Sequence, residues 1–123
     1  MANSILITDD SRTMRTIIRR ALRQGGFEPE TVFEAEHGKA ALDVLEKESV
    51  DIIFTDINMP EMNGLELIKA VRASEQWKEV PIVVITTESA DDFVAQAMAE
   101  GANSFLSKPF TPDQVKEKLE GII

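Results

Sequence analysis

The chain predicts an α/β fold: a five-stranded parallel sheet, strand order 2-1-3-4-5, flanked by five helices in a doubly wound arrangement. Three observations lead there. Short apolar runs alternate with amphipathic stretches of helical period along the 123 residues, as five βα units would. The first, third and fourth runs are unbroken, as strands buried on both faces require, so they belong mid-sheet. The first and third runs end in carboxylates, which neighbouring parallel strands would bring to one edge. Right-handed crossovers leave few topologies. In the order 2-1-3-4-5, strand order reverses between strands one and three, and ligands bind beyond the carboxyl ends of the strands there.

The first strand is Ile5-Leu6-Ile7-Thr8, closed by Asp9 and Asp10. Met14, Ile17, Ile18, Ala21 and Leu22 then recur at helical spacing, and Gly25-Gly26 ends that helix. Val32-Phe33-Glu34-Ala35 is a more polar second strand and suits an edge. His37-Gly38 turns into a helix with Ala41, Val44 and Leu45 on its core face. Residues 51–55 form strand three, closed by Asp56. A loop through Met59-Pro60-Glu61-Met62-Asn63-Gly64 follows, whose Asn-Gly pair signals a turn or helix entry. Leu67, Ile68 and Val71 mark helix three, and Pro81 opens strand four, Ile82-Val83-Val84-Ile85-Thr86. Phe93, Val94, Ala97 and Met98 mark helix four, closed by Gly101. Phe105-Leu106-Ser107 is strand five, followed by Lys108-Pro109. Thr111 caps the last helix, with Pro112 at its first position and Gln114 completing a capping box. Val115, Leu119 and Ile122 face the core.

Residues 1–123 are expected to form one domain, and 43% apolar residues suffice for a core. The absence of cysteine fits a reducing cytosol. No secretory signal is visible, and no apolar run approaches the ~20 residues of a membrane helix. The expected location is therefore the cytoplasm, with no membrane partner. A net charge of −9 argues against direct contact with nucleic acid.

Asp9, Asp10 and Asp56 at one sheet edge would repel one another, so the arrangement calls for a cation. Mg²⁺ takes oxygen ligands at about 2.1 Å, and carboxylates with phosphate oxygens match it. The motif residues include no histidine or cysteine, which disfavours zinc. A carboxylate can also act as a nucleophile and form an acyl phosphate. Asp9-Asp10 reads as the metal pair, and the solitary Asp56 as the nucleophile. Lys108 would neutralise the phosphoryl oxygens opposite the metal, and the Thr86 hydroxyl would donate to another. Separately, Asp9-Asp10 could simply start a helix and Asp56 end a strand. Their convergence with Thr86 and Lys108 disfavours coincidence.

Asp9-Asp10, Asp56 with Met59-Pro60 and Gly64, Thr86, and Lys108-Pro109 resemble the signature of response-regulator receiver domains, along essentially the whole chain. The stretches Asn58 to Leu67 and Lys108 to Thr111 resemble the stand-alone chemotaxis branch of that family. The resemblance implies a flavodoxin-like fold and a signalling switch rather than a metabolic enzyme. It implies that a sensor histidine kinase donates a phosphoryl group to Asp56. It implies Mg²⁺ held by Asp9, Asp10, Asp56 and the backbone carbonyl of Asn58, with Lys108 on the phosphoryl group. It implies a cis bond at Pro109, self-dephosphorylation tuned by Asn58, Thr87 and Glu88, and a switch through Thr86 and Phe105. The surface of helix four, strand five and helix five would change in response. With no output domain, the target would be a protein acting in trans. The expected state is a monomer, with dimerisation through helices four and five as the alternative.

Three positions depart from the pattern. Phe105 stands where the chemotaxis branch usually has tyrosine, Thr87 where a smaller residue is usual, and Thr8 where an aliphatic is common. Little effect is expected from Thr8. His37 is expected on the surface and Trp77 over a loop, with Met14, Met59, Met62 and Met98 as packing residues. The arginines from Arg12 to Arg23 could dock an acidic partner, and a solvated helix face explains them equally well, with Arg12 near Asp10. Two other functions fit less well. A Mg²⁺-dependent phosphohydrolase would need an inserted cap over its substrate. A phosphorylation-independent binding module would not need the intact acidic site.

Overall fold

Strand side chains alternate between faces, so a central sheet needs two cores. The computed structural model, which describes residues 4–86, 91–108 and 110–120, has both. The elements run β1 (Ser4–Thr8), α1 (Arg12–Gln24), β2 (Thr31–Ala35), α2 (Gly38–Lys47), β3 (Ile52–Thr55), α3 (Gly64–Ala73), β4 (Ile82–Thr86), α4 (Asp91–Glu100), β5 (Ser104–Ser107) and α5 (Pro112–Leu119). All strands are parallel, in the order β2-β1-β3-β4-β5. On one face Ile5, Ile7, Phe54, Val83 and Ile85 pack against Ile18 and Leu22 of α1 and Val115 and Leu119 of α5. On the other, Leu6, Ile53, Ile82 and Val84 pack against α2, α3 and α4 through Leu45, Leu67, Ile68 and Ala97.

Register places the site. Thr8 stands level with Ala35 and with Thr55, and Thr86 level with Ser107. The residues that follow β1, β3 and β5 are Asp9, Asp56 and Lys108, so all three emerge along one edge. This is the carboxyl edge at the reversal of strand order, as expected.

Thr111 caps α5 with Gln114 as the sequence indicates, and α3 starts at the Asn-Gly signal. The structure adds Ser11 as the cap of α1 and a capping box of Asn63 with Glu66 on α3. The apolar faces of two helices were drawn too broadly. Ile17 of α1 is exposed, as are Phe93 and Met98 of α4, while Ile18 and Ala97 are buried. Helical period identifies a stripe, and only the tertiary contact decides how much of it is covered. Trp77 packs against the core beneath the α3–β4 loop, as expected. Ile122 lies outside the described residues.

Arg72, near the end of α3, fastens three segments. Its guanidinium donates to the carbonyls of Lys78 (2.9 Å), Val80 (2.7 Å) and Gly101 (3.0 Å) and to Asn103 Oδ1 (2.9 Å). Gly101 has φ +120°, and a Cβ there would meet the Arg72 side chain. Both facts call for glycine.

Candidate functional site

Asp9 begins where β1 stops. Its amide still donates to Ala35 O (3.0 Å), and its carboxylate accepts from the Ser11 amide (2.9 Å). That Asx-type contact turns the chain into α1 and holds the carboxylate over the sheet edge. Asp9 is buried and Asp10, next to it, is exposed. Arg15 braces the turn from α1: its Nη1 donates to Asp9 O (2.6 Å), and its Nε pairs with Glu34 (2.7 Å). Arg12 had been expected near Asp10. Arg15 sits one helical turn further on, and its guanidinium is tied to this end of β1.

Asp56 follows β3, its amide donating to Thr8 O (2.9 Å). Its Oδ1 accepts from the Ile57 amide (2.7 Å). Gly64 opens α3 directly over this backbone, and a Cβ at that position would collide with Asp56 O. The glycine thus lets the start of α3 fold back tightly over the Asp56 backbone. Its role in the motif is this close approach.

Lys108 enters from β5, its amide donating to Thr86 O (2.7 Å). Its Nζ lies 2.8 Å from Asp9 Oδ2 and 3.4 Å from Asp56 Oδ2. These side chains are only 6%, 2% and 12% exposed, so the ammonium is sealed between two carboxylates. Burial pushes the Asp56 carboxyl above its ordinary value; Lys108 lowers it, the Asp9 charge raises it again, and the Ile57 amide lowers it. Desolvation dominates.

An oxygen from each of Asp9, Asp10 and Asp56 lies within 4.8 Å of the others. A set of carboxylate oxygens suits a hard cation, and that spacing approaches the span of ligands on one octahedral ion. The residues present therefore fit Mg²⁺.

Thr86 is buried at the end of β4, next to the strand carrying Lys108. Phe105 on β5 is half-buried, with Lys118 Nζ 4.6 Å from its ring centroid. Asn58 is exposed. Thr87, Glu88 and Pro109 lie outside the described residues. Among the described residues, the buried hydroxyl of Thr8 has no hydrogen-bond partner.

The sequence reading missed His37. It caps α2 through Nδ1, which accepts from the Ala40 amide (3.1 Å), and its Nε2 pairs with Glu61 at 2.8 Å. It was expected as an ordinary surface residue, yet its side chain is only 18% exposed. The partner is 24 positions away, so no local pattern reveals the pair.

Residues 5–120 match the model of the response regulator receiver domain. The chain belongs to this family. Among relatives of this receiver domain, it is 48% identical over 120 residues to a chemotaxis protein CheY homolog of Campylobacter jejuni, covering 97% of this chain and 91% of that protein. Chemotaxis protein CheY1 of Helicobacter pylori strain J99 is also 48% identical, over 97% of this chain and 95% of its own length. Among solved structures, the chemotaxis response regulator CheY4 of Vibrio cholerae superposes with a TM-score of 0.84 at 35% identity, over the whole of both chains. The receiver domain of sensor histidine kinase PA1611 from Pseudomonas aeruginosa, solved with a magnesium ion coordinated in the active-site cleft, gives 0.83 at 26% identity. It matches over 98% of this chain and 97% of its own. The fold is thus the flavodoxin-like receiver fold, and phosphorylation by histidine kinases is the general role of the family. Receiver domains of this type act as signalling switches rather than metabolic enzymes. Among the described residues, no helix is long and apolar enough to cross a membrane.

Proposed function

We propose that this chain is a single receiver domain that accepts a phosphoryl group on Asp56 from a phosphohistidine kinase and signals in the cytoplasm to a protein target in trans. The observation that carries the reading is Lys108 Nζ, clasped between Asp9 and Asp56 beside the three-carboxylate cluster. In transfer, an Asp56 oxygen bonds to phosphorus as the phosphorus–nitrogen bond to the donor imidazole breaks. Lys108 faces the arriving phosphoryl oxygens, and the Thr86 hydroxyl donates to another. Asp9, Asp10, Asp56 and the Asn58 carbonyl would hold Mg²⁺, which when bound would neutralise phosphoryl charge. Water attack on the acyl phosphate returns the free carboxylate, at a rate tuned by Asn58, Thr87 and Glu88.

The response passes through Thr86 to Phe105, and the surface of α4, β5 and α5 presents it. The chemotaxis relatives support a chemotaxis-type role for that output. A monomer suffices for this mechanism. Incubation with Mg²⁺ and radiolabelled acetyl phosphate should label the parent chain on Asp56 and leave Asp56→Asn unlabelled. Equal labelling of the variant would remove the assignment.

A further inference from the structure

The loop after Asp56, residues 57–63, carries the Asn58 carbonyl and so helps to shape the metal site. Its base is closed by Gly64, whose amide donates to Ile57 O (2.8 Å). Its outer bend is Pro60-Glu61-Met62, where the Met62 amide donates to Pro60 O (2.7 Å). Glu61 has φ +61°, a left-handed conformation that side-chain-bearing residues disfavour. Such a bend needs support from outside, and the start of α2 supplies it twice. The Gly38 amide donates to Met62 O (3.0 Å), and Met62 fills the space that a Cβ on residue 38 would need. His37 is the second support. Because Nδ1 accepts from Ala40, a neutral ring carries its proton on Nε2, which donates to Glu61 Oε2 at 2.8 Å.

We propose that His37 and Glu61 form a latch that positions the β3–α3 loop for metal binding, with His37 as a positioning residue acting through Glu61. The latch rests on the metal reading above. Among the hydrogen bonds and ion pairs of the described residues, neither side chain joins the three aspartates, so any influence on Mg²⁺ travels through loop geometry.

The test is Mg²⁺ affinity by titration calorimetry on the full chain, with metal-free stability measured in urea beside it. His37→Asn keeps a cap for α2 but does not span the distance to Glu61. Glu61→Gly removes the carboxylate and takes the left-handed backbone without strain. Each should weaken Mg²⁺ binding about tenfold, the low end for contacts that support a ligand. The double variant should be no weaker than the weaker single, and Glu61→Gln, which still accepts from Nε2, should stay near the parent. A purely structural role would move stability and affinity together. Glu61→Gly should instead keep its stability while losing affinity. Unchanged affinity in His37→Asn and Glu61→Gly, or losses that multiply in the double variant, would overturn the latch. Asp10→Asn separates the two ideas. If it leaves Mg²⁺ binding intact, or if the parent binds none, the metal reading falls and the latch with it. If it abolishes binding while the latch variants match the parent, only the latch falls.

Discussion

Burial raises the proton affinity of Asp56, and the Lys108 ammonium offsets only part of that. An unfolded aspartate ionises at its ordinary value, so over the window just above it the folded chain holds a proton that the unfolded chain has lost. Stability therefore falls as pH rises through that window, and the cost is fully present above it. Asp56→Asn should remove the cost. Urea unfolding without metal should find the variant more stable than the parent at neutral pH, with the gap closing on acidification. A variant less stable at neutral pH would contradict the assigned desolvation. Thr8 is a second residue working against the fold. Its buried hydroxyl lacks a partner, so Thr8→Val should stabilise by about 1 kcal/mol in urea. A loss of stability would mean that the hydroxyl is satisfied. The sequence flagged Thr8 as unusual for its position but expected little effect, because burial without a partner is a tertiary fact.

Among the elements, strands and caps were legible, because both are local. Unbroken apolar runs locate β1, β3 and β4, and the spacing Thr111 to Gln114 marks the start of α5. What joins one element to another was not legible. Arg72 lies in a helix of ordinary amphipathic pattern, and its acceptors are 6 to 31 positions away. Removing its guanidinium would leave three carbonyls and Asn103 short of a donor. Arg72→Met should therefore destabilise by roughly 2 kcal/mol in urea, since four charge-assisted hydrogen bonds from a half-buried guanidinium are lost together. A loss under about 0.5 kcal/mol would show that water replaces the clip. The pair His37–Glu61 escaped notice for the same reason. Exposed Ile17, Phe93 and Met98 mark the opposite error, since a periodic pattern assigns apolar residues to a core that does not reach them.

At the scale of the molecule, the metal and the fold are linked. The carboxylates converge only in the native state, so Mg²⁺ should stabilise by mass action, about 2.7 kcal/mol at a hundredfold excess over its dissociation constant. Thermal melts should rise with Mg²⁺ for the parent chain and stay flat for Asp10→Asn. A rise of equal size in both would place the ion elsewhere. The strand order and the meeting of Asp9, Asp56 and Lys108 were readable because the crossover rule leaves little choice once five βα units are recognised. Asp9 and Lys108 stand 99 positions apart. Their contact forms only when β5 has docked on β4 and closed the sheet. A chain still leaving the ribosome would already display Asp56 yet lack the ammonium beside it. On the proposed function, competence to receive a phosphoryl group would thus arrive only once β5 is in place, and a half-made copy would offer its carboxylate without the charge that neutralises the incoming oxygens.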